Sequence, residues 1–309
     1  MSDDLFSEPK PENTCALWDA LIRDEPRARF LREQIQRLWS RFRPFATNQF
    51  RKEFPSRTHH RLWEMALTVA LLEQGLPLEP QPDAAPDLGF LTPDGRRVWI
   101  EAACVTPGAD GNPDQVPVLR PAMEVGIAQR FPEERILLRL LETIDRKRAQ
   151  RRRHLAAGRV SIHDAYVIAL NIAHAQEPVL WGAQHLIVKA AFGLGRLVLE
   201  FDPSLGRTVA VVHEERPHLV RAKGRPISSS LFLDDEAAEV SALLCSDFHA
   251  GRLLAAPVQE VCSEMVCVHN PFASVRLKEG CLGAGHEYVA VADGAGDLRI
   301  RRVVAQPGG

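Results

Sequence analysis

The chain contains no stretch near 18 uninterrupted apolar residues, so no membrane span is expected. Its start, "MSDDLFSEPKPEN", is acidic and polar rather than basic then apolar, which argues against a secretory signal. The six cysteines at 15, 104, 245, 262, 267 and 281 form no CxxC pair and no Cys/His zinc spacing. Reduced thiols and a cytoplasmic location are the simplest expectation. There is no Walker-type phosphate loop and no GxGxxG, and "GLGR" at Gly193 is too short to argue for nucleotide binding. Aromatic residues are few, at 6%, and the net charge is only −2, which does not suit a protein coated in nucleic acid.

That small net charge conceals an asymmetry. From Arg23 to Arg61 there are eleven Lys or Arg against four Asp or Glu, and a second basic run, "RKRAQRRRH", covers Arg146 to His154. The pattern divides the chain into a disordered tail over 1–13, an N-terminal helical segment over 14–55, an α/β core over 56–175 and a C-terminal α/β extension over 176–309. In the helical segment, Phe30, Leu31, Ile35, Leu38, Trp39 and Phe42 recur at helical spacing. "HHRLWEMALTVALLEQG" reads as a helix that is apolar almost all round and capped by Gly75, hence buried. Glu64 lies inside it, and a buried carboxylate is costly unless paired or bound to a metal. A Pro-rich connector with one weak strand leads to a hairpin, "PDLGFLTPDGRRVWIEAA". Next come an irregular Gly/Pro stretch, a helix from Pro132 to about Ala156, and a buried strand, "DAYVIALNIA". Further on, "GAQHLIVKAAFG" suits a helix; "RLVLEFD", "TVAVVHE", "EVSALLCSD" and "EMVCVHN" suit strands.

The hairpin turn decides where its acids point. "TPDGR" predicts a three-residue loop, with Pro93 and Asp94 central to a type I turn and Gly95 left-handed. Thr92 then faces Arg96, and five residues outward along each arm Asp87 comes opposite Glu101. Facing residues on one sheet side have Cβ atoms about 4.5–5.5 Å apart. Two carboxylates there repel, an arrangement that becomes useful if a divalent cation lies between them. Asp83 and Asp94 compete for that role, but Asp94 is better explained by the turn.

Glu64 in "LWEMAL", Pro86-Asp87 and Ile100-Glu101-Ala102 occur in this order on helix, strand and strand. In this the chain resembles the PD-(D/E)XK, or restriction-endonuclease-like, superfamily, and "PEERILLRL", "DAYVIALN" and "HNPFA" extend the likeness toward an uncharacterised bacterial branch. The resemblance covers residues 56 to about 172. It implies an αβββαβ core with a mixed sheet, in which Glu64, Asp87 and Glu101 hold Mg²⁺ or Mn²⁺ and hydrolyse a phosphodiester. DNA is expected before RNA, with a homodimer left open. The superfamily usually places a Lys two residues after the second acid; here Ala103 stands there. Lys147, beside the inward stripe of the second helix, is the substitute, with Gln150 a weaker one. Arg146, Arg148, Arg151, Arg152 and Arg153 are the expected phosphate contacts. The runner-up is a catalytically degenerate fold that binds nucleic acid or a protein. Adjacent His59 and His60 do not face one site; His163, Asp164, Asn171 and His269 read as structural, as do Cys262 and Cys267.

Overall fold

The computed structural model describes residues 4–7, 12–82, 84–117, 131–175, 185–255, 260–292 and 298–303; Asp83, one of the competing acids, lies outside them. In chain order the elements are α1 (Ala16–Leu21), α2 (Pro26–Phe42), α3 (Phe50–Glu53), α4 (Thr58–Glu73), β1 (Leu88–Leu91), β2 (Arg97–Cys104), α5 (Glu133–Ala156) and β3 (Ala165–Asn171). They continue with α6 (Leu186–Phe192), β4 (Leu194–Asp202), β5 (Arg207–Glu215), β6 (His218–Val220), β7 (Pro226–Ser228), β8 (Ala242–Ser246), α7 (Glu260–Glu264), β9 (Val266–His269), β10 (His286–Ala292) and β11 (Leu298–Val303).

Seven strands form one mixed sheet in the order β1-β2-β3-β8-β9-β10-β11. It is parallel at β2–β3, β3–β8 and β9–β10, and antiparallel at the remaining joins. Helices cover both faces of its centre, which is why β2 and β3 are buried almost throughout. Strand alternation sorts their side chains. Val98, Ile100, Ala102 and Cys104 join the core built with α2 and α4, whereas Trp99, Ala103 and Val105 join the one built with α5 and α6. Within the expected disordered tail, Leu5 is buried and Phe6 stacks on Trp18.

α4 is buried along most of its length and stops at Gly75, whose positive φ lets Leu76 N–H reach the Leu71 carbonyl in a Schellman-type end. The hairpin adopts the register that its turn dictates: Leu88 pairs with Ile100 and Leu91 with Arg97, Thr92 closes on Arg96, and Gly95 has φ +78°. The weak strand in the connector is reduced to a single bridge, Glu79 to Gly89. The expected three-strand meander is therefore a two-strand hairpin with one extra contact. Strands β6, β7, β10 and β11 go beyond the segments singled out in the sequence. Among the described residues no helix is long and apolar enough to cross a membrane.

Candidate functional site

β1 begins at Leu88 because Pro86 has no N–H with which to extend the ladder. From Glu101 to Cys104, β2 therefore loses its partner on that side, and groups from both faces of the sheet meet around this open edge. The first orphaned donor, the Ala102 N–H, is taken by Asp87 Oδ2 at 2.8 Å. Asp87 thus sits at the edge itself, one residue past the ladder and in the register expected of it.

Glu101 belongs to the Trp99/Ala103 side of β2 and is 1% exposed. Its Oε1 accepts from Lys147 Nζ at 2.7 Å and from Gln150 Nε2 at 2.6 Å, and its Oε2 accepts from Tyr166 Oη at 3.4 Å. His154 Nε2 lies 3.9 Å from Oε2. Lys147, Gln150 and His154 are spaced i, i+3, i+7 on α5, so helical phase alone brings them over one carboxylate. Both of the sequence's candidates for the displaced basic group reach Glu101. His154 was missed, although its phase with Lys147 was the available signal.

Glu64 lies on the opposite side of the sheet, on α4. It is buried and paired with Arg61, which also bridges to Glu53. The Arg61–Glu64 spacing of i, i+3 was legible but was not singled out. Glu53, Arg61, Glu64, Gln81, Pro86 and Asp87 line a cavity of about 230 Å³. One turn before Glu64, His60 accepts from Cys104 N at 3.5 Å, closing the same edge. Its neighbour His59 packs edge-on against His174 instead, so the two histidines do not share a site.

Electrostatics link the acids across the edge. Burial, and next the charge of Asp87, push Glu64 up to about 7 and Glu101 likewise up to about 7. Lys147 acts in the opposite direction on both. Burial, reinforced by the cations Arg57 and Lys147, holds His60 down to about 3, so it is a neutral imidazole. Burial also lowers His154. Glu64 and Glu101 therefore favour holding a proton or a cation, with the neutral His60 beside them.

Glu64 and Glu101 approach from opposite sides, with Asp87 between them at the edge. Among the described residues, no group of three or more His, Cys, Asp or Glu side chains is gathered closely enough to hold a metal ion. Comparison of the chain with protein-family models, with curated proteins and with solved structures gives no match. The likeness to restriction-endonuclease-like proteins rests on the residues alone.

The basic run splits by helical phase. Arg146, Arg152 and Arg153 are exposed, while Arg148 and Arg151 are buried. Arg148 Nε donates to Glu239 Oε1 at 2.8 Å, and Arg151 lies over the Tyr166 ring at 5.5 Å. These two are committed within the protein and are withdrawn from the expected phosphate contacts. The other groups read as structural are engaged so: Asp164 accepts from Trp99 Nε1, Asn171 donates to the Phe248 carbonyl, and His269 contacts Glu287. Cys262 and Cys267 are buried in the core.

Proposed function

We propose that the open edge of β2 is a divalent-metal site for hydrolysing phosphodiesters in nucleic acid, DNA in preference to RNA, on a restriction-endonuclease-like core. The observation that carries this reading is geometric: Lys147 Nζ lies 2.7 Å from the buried Glu101, and beside it Asp87, held to the Ala102 N–H at 2.8 Å, lines one cavity with the buried Glu64. The order α4, β1, β2, α5, β3 supports a core of that kind, with the Glu79 bridge standing where a third hairpin strand would be.

The donor set suits Mg²⁺ or Mn²⁺, which prefer carboxylate oxygens and commonly take only one or two from the protein. Glu64 Oε1 and Asp87 Oδ1 accept no hydrogen bond among the described residues, so these two would hold the ion. Glu101 would join them on release from Gln150. The ion would lower the pKa of a bound water and offset charge on the attacked phosphate. The chain's own residues do the remaining work. Lys147 opposes the burial that raises Glu101 and offers an ammonium beside it, in place of the lysine that Ala103 lacks. His154, 3.9 Å from Glu101 and lowered by burial, is placed to accept a proton. Arg146, Arg152 and Arg153 are exposed and would supply phosphate contacts, Arg152 after leaving its 3.5 Å contact with Glu239.

One observation favours a degenerate, binding-only module: Glu101 already has three donors and 1% exposure. Incubation with plasmid and single-stranded DNA in Mn²⁺ separates the two. Cleavage abolished by Glu101→Ala but retained in Asp94→Ala supports hydrolysis. Salt-sensitive binding with no cleavage by the wild-type protein supports the alternative.

A further inference from the structure

Arg61 is shared between two carboxylates. Helical hydrogen bonding runs through the α3–α4 junction, from Arg57 N to the Glu53 carbonyl at 2.9 Å and from Arg61 N to the Arg57 carbonyl at 3.0 Å. Glu53, Arg57, Arg61 and Glu64, spaced i, i+4, i+8 and i+11, therefore fall on one face. Arg61 Nη1 donates to Glu64 Oε2, and its Nη2 donates to Glu53 Oε2. The guanidinium also lies over the Phe50 ring, 5.1 Å from its centroid, which seats the fork between the two acids.

The two carboxylates differ in what they need. The Glu64 side chain is 7% exposed, so it depends on a counter-charge. That of Glu53 is 34% exposed and has a second partner, Arg57 Nη1 at 3.1 Å. Glu53, Arg61 and Glu64 line the 230 Å³ cavity together with Asp87. An ion held by Glu64 and Asp87 would bring a second cation onto the carboxylate that Arg61 already serves. In so enclosed a place the two cations repel across a short, poorly screened gap. Arg61 has a way to relieve this without leaving the cavity, because it can release Glu64 and keep Glu53. Arg57, half-exposed, gives up its share of Glu53 to water at little cost.

We propose that Arg61 is a positioning residue that governs entry of the ion. It neutralises Glu64 when no ion is bound and moves wholly onto Glu53 when one arrives. Glu53 then sets the affinity of a site whose ion it does not touch. The inference rests on the reading of the β2 edge as a divalent-metal site. Arg61 and the ion compete for one carboxylate, so whatever holds Arg61 elsewhere favours the ion by the same factor.

Calorimetric titration of Mn²⁺ at pH 8 into the wild type, Glu53→Gln, Arg61→Met and the double variant tests this as a cycle. Glu53→Gln should weaken binding about tenfold, within the range usual for coupled sites, because Arg61 then stays on Glu64. Arg61→Met should bind more tightly than wild type, since a divalent ion gains more than a proton does when a neighbouring cation is lost. Adding Glu53→Gln to Arg61→Met should change the affinity less than about twofold. Equal weakening by Glu53→Gln in both backgrounds would show an ordinary anionic neighbour and overturn the inference. So would weaker binding by an Arg61→Met protein with unchanged far-ultraviolet circular dichroism. An unchanged isotherm for Glu53→Gln would overturn it without recourse to the Arg61 variants. Each of these results, in a wild type that binds Mn²⁺, counts against the role of Arg61 alone; a wild type that binds none removes the metal site and this inference together.

Discussion

Replacing Lys147 with Met removes the cation closest to Glu101, and the structure sets how the cost depends on pH. The pair is enclosed, with side chains 11% and 1% exposed and 2.7 Å between Nζ and Oε1. Glu101 is raised from its ordinary 4.5 to about 7, first by burial and then by Asp87, with Lys147 opposing both. Its folded pKa lies above that of the unfolded chain. Its contribution to stability is thus complete below about 4.5 and is lost as pH rises through about 7, after which the curve flattens. Without Lys147 the folded pKa moves higher still, so the falling limb extends. One extra proton held only by the folded state costs about 1.4 kcal/mol for each pH unit. Between pH 7 and 9, Lys147→Met should therefore lose up to about 3 kcal/mol relative to wild type. At pH 5, where Glu101 is protonated in both proteins, the difference should be small. Urea unfolding followed by tryptophan fluorescence, in chelator at pH 5, 7 and 9, measures it, with exposed Arg146→Met as control. A destabilisation equal at all three pH values would refute the electrostatic assignment.

The split basic helix gives a second contrast. Arg148→Ala removes the closer of the two arginines on half-buried Glu239 and should cost about 1–2 kcal/mol in denaturant unfolding, with Arg152→Ala, whose contact is longer and exposed, and Arg153→Ala near zero. DNA binding at low salt should show the reverse ranking, weakening for the two exposed arginines. At the turn, Gly95→Ala places a Cβ at φ +78° and should lower stability by about 1 kcal/mol, read as a fall in Tm, because the strain is local.

What was legible in the sequence was local. The turn "TPDGR" dictated the hairpin register, and helical phase placed Lys147 and Gln150 over Glu101. Both follow from short-range geometry. Which side of the sheet each acid approaches from was not legible, because it depends on where α4 and α5 pack. No pattern within "LWEMAL" or "WIEAA" states that they lie on opposite layers. The same limit explains Arg148 and Arg151, whose partners Glu239 and Tyr166 come from remote segments. His60 and His154 lay within reach of simple spacing arguments, four residues before Glu64 and seven after Lys147. Strands β10 and β11 alternate less cleanly in burial, as befits a sheet margin.

Calorimetric titration of Mn²⁺ into the chelator-treated protein at pH 8, above the range in which Glu64 and Glu101 hold protons, tests the proposed site most directly. Binding of one or two ions by the wild type, weakened at pH 6, lost in Asp87→Ala and retained in Asp94→Ala, is the expected result. Heat no different from buffer for the wild type, or an unchanged isotherm for Asp87→Ala, would contradict it.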